Sequence, residues 1–130
     1  MTLAQALASH RLRLHPSAPD GNCQFHSLAL FFDFLSHTQM RAQVVQYIQQ
    51  HADRFVEDIR AEYDCSVDAY CERMARLGTH GDGVTLQAFT LAFQVSVWLF
   101  MPTGVSRFGE FQKNIALIRQ GDHYDAAIPI

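Results

Sequence analysis

Between residues 18 and 34 the chain passes from a forced turn into an unbroken apolar stretch, and a cysteine stands at the change. Pro19 fixes its own φ, Gly21 is free to take φ > 0, and Asp20 and Asn22 can bond their own backbone, so Pro19-Asp20-Gly21-Asn22 reads as a turn. Phe25, Leu28, Leu30, Phe31, Phe32, Phe34 and Leu35 then predict a helix apolar on several faces, buried in the middle of a small domain. Cys23 falls at the turn-to-helix junction. Unpaired N–H groups and the positive end of the helix dipole favour an anion there, which predicts a stabilised thiolate with a lowered pKa. The N–H groups of Gly21, Asn22 and Cys23 can also hold the oxygen of a tetrahedral intermediate. A buried, inert thiol fits the same position, since free cysteine is among the most buried residue types.

The rest of the chain limits what such a cysteine can belong to. Its 130 residues, 48% hydrophobic with ten phenylalanines, are enough for one domain, residues 1–130, with a packed core. A net charge of −3 speaks against a nucleic-acid partner. Cys23, Cys65 and Cys71 are odd in number and lack Cys-x-x-Cys spacing, which predicts neither a disulfide framework nor a bound metal. A reducing cytosol, its own or that of a host cell, is the expected setting. No apolar run reaches the roughly 18 residues a bilayer span needs, so no membrane partner is expected.

Along the chain, Thr2 caps a short helix through Ser9, and Arg11 to His15 alternates as a brief strand. Ser36-His37-Thr38 breaks the Cys helix, and Thr38 caps a second one with Met40, Val44, Val45, Ile48 and Ala52 at helical spacing. A third helix is expected over Asp53 to Tyr63, a fourth over Ser66 to Leu77, and a fifth over Thr85 to Phe93 after the tight loop Thr79 to Gly83. Val95 to Met101 is a strand, Gly104 to Lys113 a polar loop, and Ile115 to Arg119 and Ala126 to Pro129 are further strands. Helices first and strands last predict an α+β fold, a small central sheet flanked by helices.

A nucleophilic thiol needs a base, and His123 is placed to be one, following a predicted strand and a Gly-Asp turn. Asp125 lies two residues on, on the same side of an extended chain, where its carboxylate can bond the far ring nitrogen of His123 and fix the tautomer. Tyr124 points the other way, into the sheet. Taken alone, a His-x-Asp is more often a surface turn beside a solvated charge.

The segment Asp20-Gly21-Asn22-Cys23-Gln24-Phe25-His26-Ser27 resembles the Asp-Gly-Asn-Cys-x-Phe-Arg-Ser signature of the ovarian-tumour (OTU) family of cysteine proteases, with His26 where Arg is usual. The resemblance continues through Arg41 to Phe55, Tyr70 to Met74, Gly83 to Phe89 and the terminal His123-Tyr124-Asp125, with His80-Gly81 where the family usually has Trp-Gly. It implies the papain-like fold of that family and a deubiquitinase that hydrolyses the isopeptide bond at ubiquitin's C-terminal Gly without a cofactor. It further implies Cys23 as nucleophile, His123 as general base and acid, and Asp125 as the group orienting His123. Asp20, also counted with the family's catalytic residues, reads physically as shaping the oxyanion loop. The partner implied is ubiquitin or polyubiquitin. A ubiquitin-like modifier or viral polyprotein would serve the same chemistry, and a catalytically silent ubiquitin-binding module is the alternative of a different class. Asp53, Glu57, Asp58, Glu62, Asp64, Asp68 and Glu72 form an acidic band, either a solvated face or a surface for a basic partner such as the arginine-bearing tail of ubiquitin.

Overall fold

In the computed structural model, which describes residues 1–130, three helices begin on reciprocal caps that the sequence spells out locally. Thr2 with Gln5 starts α1 (Leu3–Ser9), Ser36 with Gln39 starts α3 (His37–Gln50), and Asp82 with Thr85 starts α6 (Gly83–Phe93). Thr38, expected as the cap of the second helix, is instead an interior residue of its first turn. The Cys helix α2 (Cys23–Ala29) is shorter than its apolar run suggested. Residues apolar on every face carry no stop signal, and the chain turns at Leu30 to Asp33 to reach the Ser36 cap. Phe31 and Phe32 remain half-buried, whereas Phe34, expected in the core, is 88% exposed. The third predicted helix divides into a 3-10 turn (Ala52–Arg54) and α4 (Val56–Tyr63), and α5 (Val67–Met74) is trimmed at its end.

The strands β1 (Leu12–His15), β2 (Val95–Met101), β3 (Gly104–Phe108), β4 (Lys113–Gln120) and β5 (His123–Pro129) form one sheet in the order β1-β5-β4-β2-β3, with β2 and β4 parallel and the other neighbours antiparallel. β3 lies within the predicted polar loop. It is an edge strand with no buried residue, so only backbone pairing with β2 defines it and no apolar alternation announces it. Alternation along the inner strands serves two cores. Val97, Leu99, Ile115, Leu117 and Tyr124 face the main core with α2, α3 and α6. Phe100, Ala116, Ile118 and Ala127 join Ala6 and Leu7 of α1 on the other face. Trp98 is half-buried beside that second cluster, its indole N–H donating to Asn114 Oδ1 at 3.2 Å.

Two features of this layout position the site. α2 is buried along six of its seven residues, so Cys23 at its first position is held rigidly. The β4–β5 hairpin closes at Gln120 and His123 around Gly121-Asp122, with Gly121 at φ 65°, so His123 opens β5 instead of sitting in a turn.

Candidate active site

The turn before α2 is stabilised from within. The Asp20 carboxylate accepts the Asn22 N–H at 2.9 Å and the Asp20 carbonyl accepts the Cys23 N–H at 3.3 Å, an Asx turn of the kind Asp favours. Asn22 does not cap α2 with its side chain; its Oδ1 accepts the Gly78 N–H at 2.7 Å and Arg41 Nη2 at 2.9 Å. Of the three N–H groups predicted to receive an oxyanion, those of Asn22 and Cys23 are thus held by Asp20 in this state, while that of Gly21 makes no hydrogen bond within the protein.

Cys23 is 1% exposed, and the start of β5 wraps its sulfur. The Tyr124 N–H donates to Sγ at 3.3 Å, and Sγ lies 3.9 Å from the Asp122 carbonyl. Burial pushes the thiol pKa up, against the N–H groups of Tyr124 and Gln24, which pull it down, and with the Asp20 charge adding to the rise. The expected lowering is therefore reversed. The helix-terminus effect is present in the Gln24 N–H, but desolvation is larger. Alkylation of Cys23 should accordingly keep accelerating as pH rises through and beyond neutrality, since burial holds the thiol above its ordinary range. A plateau near pH 7 would mean that the thiolate already exists at rest.

His123, between the two residues that wrap the sulfur, donates its Nε2–H to Asp125 Oδ1 at 2.8 Å, as the i, i+2 spacing predicted. Its Nδ1 has no hydrogen-bond partner, and the ring does not bond Cys23 in this state. Asp125 is buried, and its Oδ1 also accepts the Ser17 N–H at 2.8 Å. Tyr124 turns into the main core. Cys23 and the His123–Asp125 pair, 100 residues apart in sequence, are thus brought together by α2 packing on β5.

Sequence reasoning missed several supports. Ser17 contributes a backbone donor, which leaves no side-chain signature. Gln24, fully buried, ties α2 to the loop before α6 by donating to the Asp82 carbonyl at 3.1 Å and accepting from Thr85 Oγ1 at 2.6 Å. Asp82 also accepts the hydroxyls of Tyr63 and Tyr70. Arg41 was detectable: it shares a helical face with Val44, Val45 and Ile48, and a charge on an apolar face calls for a reason.

A cavity of about 930 Å³ runs between α4, the loop before α6 and the β4–β5 turn, reaching the two residues that wrap the sulfur, Asp122 and Tyr124. Asp58 and Glu62 of the acidic band, His80, Phe108, Asp122 and Tyr124 are among its walls. The remaining acids of that band are exposed, as a solvated face would be. Cys71 is buried with its thiol pushed up to about 11 by burial and then by Asp68. No three His, Cys, Asp or Glu side chains converge as metal ligands would. No helix is long and apolar enough to cross a membrane.

Residues 18–125 match the sequence profile of the OTU-like cysteine proteases. The chain belongs to that family. Among its relatives is ovarian tumor domain-containing deubiquitinating enzyme 11 of Arabidopsis thaliana, 34% identical over 105 residues, which make up 75% of this chain and 41% of that protein. Enzyme 10 of the same plant is 34% identical over 60% of this chain and 21% of its own length. The OTU-family chain thus spans less than half the length of these curated relatives. The fold is that of the OTU domain protease of Taggert virus (TM-score 0.80, 20% identity, 93% of this chain and 81% of that one). It is equally that of the Hazara virus OTU bound to ubiquitin (TM-score 0.78, 21% identity, 100% and 86%). The α+β fold expected for the OTU family is the one observed.

Proposed function

We propose that this OTU-family protein is a deubiquitinase, with Cys23 attacking the carbonyl that joins ubiquitin's C-terminal Gly to a lysine amine. The observation carrying this is the meeting of Cys23 with the His123–Asp125 pair, bonded at 2.8 Å, where Asp122 and Tyr124, the two residues that wrap the sulfur, also line a cavity. In the proposed reaction His123 takes the thiol proton as the C–S bond forms, and the carbonyl electron pair moves onto oxygen, which the loop N–H groups receive. His123 then returns the proton to the departing amine. Water, deprotonated by the same ring, hydrolyses the thioester and frees the thiol. Asp125 keeps the imidazole oriented.

The names of the curated relatives and the ubiquitin bound to the Hazara virus protein support ubiquitin as the substrate. So does the chemistry of the cavity, where Asp58 and Glu62 suit a tail bearing arginines. Three free cysteines suit a reducing compartment such as the cytosol.

A ubiquitin carrying a C-terminal electrophile tests the reading. A covalent adduct at Cys23, absent from Cys23→Ala, is the expected result. Binding without capture would instead mark a silent module, and capture only by probes built on other modifiers would move the substrate elsewhere.

A further inference from the structure

Two charged side chains are buried in this protein, and both converge on the site: Asp125 behind His123, and Arg41 behind the turn. Arg41 is 1% exposed and has no carboxylate within ion-pair distance. Its guanidinium donates to three neutral oxygens, the Met74 carbonyl at 2.9 Å, the Gly21 carbonyl at 3.2 Å and Asn22 Oδ1 at 2.9 Å, while its Cζ lies over the Phe25 ring, 4.2 Å from the ring centre. A buried cation without a direct ion-pair partner is a poor way to fill a core. Two of its three oxygens belong to the turn that delivers Cys23.

The consequence follows from peptide geometry. All peptide bonds here are trans, so a peptide's C=O and N–H point to opposite sides. Arg41 draws the Gly21 carbonyl inward, and the Asn22 N–H of the same peptide must face outward. There it meets the Asp20 carboxylate at 2.9 Å, a group near enough to Cys23 to add to the burial-driven rise in its pKa.

We propose that Arg41 is a positioning residue of the reaction: by holding the Gly21 carbonyl from the core side it presents the Asn22 N–H as an oxyanion donor, which the Asp20 carboxylate occupies until the substrate oxygen takes its place. When sulfur bonds to the carbonyl carbon, the displaced electron pair becomes the oxyanion, and Asp20 gives up its hydrogen bond to it. The role rests on the reading of Cys23 as the nucleophile.

Two reactions of the same thiol separate this role from a structural one. Hydrolysis of a fluorogenic ubiquitin C-terminal amide passes through an oxyanion. Alkylation of Cys23 by chloroacetamide, followed by mass, displaces chloride at a saturated carbon and does not. In Arg41→Gln, kcat should fall about 10²-fold, as on losing an oxyanion donor, with KM and the alkylation rate changed less than about threefold. Arg41→Lys should fall between, because one ammonium cannot span the oxygens that the planar fork reaches. Should Arg41→Gln fail to fold, Arg41→Lys is judged by the same criterion. Parallel loss of alkylation and turnover, or unchanged kcat in a folded variant, would overturn the role. If alkylated wild-type protein kept its turnover, Cys23 itself would be misassigned and the role of Arg41 would fall with it, a result distinct from either variant outcome.

Discussion

Cys23→Ala should leave a folded protein with no measurable hydrolysis of ubiquitin conjugates and undiminished affinity for ubiquitin. The chemical loss is large, roughly 10⁴- to 10⁶-fold in kcat when the nucleophile of such a constellation is removed. The structural loss is smaller. Replacing the thiol empties the space of one sulfur and strips the buried Tyr124 N–H of its acceptor at 3.3 Å, which costs about 1–3 kcal/mol for the orphaned donor. A domain of this size has about 5–15 kcal/mol to lose, so the melting temperature falls but folding survives. Cys23→Ser, whose oxygen can again accept from Tyr124, should recover part of the stability and little of the turnover. Thermal melts, ubiquitin titration and turnover on one set of samples would separate the two effects, and substantial turnover in Cys23→Ala would remove Cys23 from the mechanism.

Gly21→Ala is expected to be nearly as damaging to activity for a reason unrelated to chemistry. A Cβ at Gly21 would lie 1.6 Å from the Gly78 carbonyl oxygen and 2.2 Å from its carbon. Both are backbone atoms that no rotamer change can remove. Either the turn is pried from Gly78, breaking the 2.7 Å bond from the Gly78 N–H to Asn22 and displacing Cys23, or the fold carries an overpacking cost of at least about 3 kcal/mol. The measurable signs are a melting temperature lower by about 10 °C or more and the loss of ubiquitin-probe capture. Gly83→Ala is the matched control. Nothing lies within 4 Å of its Cβ, and in the first turn of α6 alanine should stabilise by about 0.5–1 kcal/mol. Equal melting of the two variants would refute the packing argument.

The elements that local chemistry dictates are legible in the chain itself: caps at Thr2 and Ser66, apolar spacing in α3 and α6, and the apolar, β-forming run of β2. Errors fell where information is not local. β3 carries no apolar pattern because an edge strand is specified by its neighbour's backbone, and the end of α2 was hidden by phenylalanines that suit a helix and a turn equally. Within the site, Cys23, His123 and Asp125 were each visible as residue types at suggestive spacings. The donors that frame them, on Ser17 and Tyr124, are main-chain groups of a kind that nearly every residue possesses.

The turn at Pro19 to Asn22, the cysteine behind it and the His-x-Asp spacing are properties of the amino-acid sequence, because each depends on contacts within a few residues. The pKa of the thiol was not such a property. Local reasoning saw the helix terminus that lowers it, and only tertiary packing supplied the burial that raises it, since desolvation depends on what lies across 100 residues of sequence from Cys23. The same holds for the turn before Cys23. Glycine at position 21 suggested freedom of φ, whereas the fold shows that Gly78 leaves no room for a side chain there and that Arg41, 20 residues away, holds the Gly21 carbonyl at 3.2 Å.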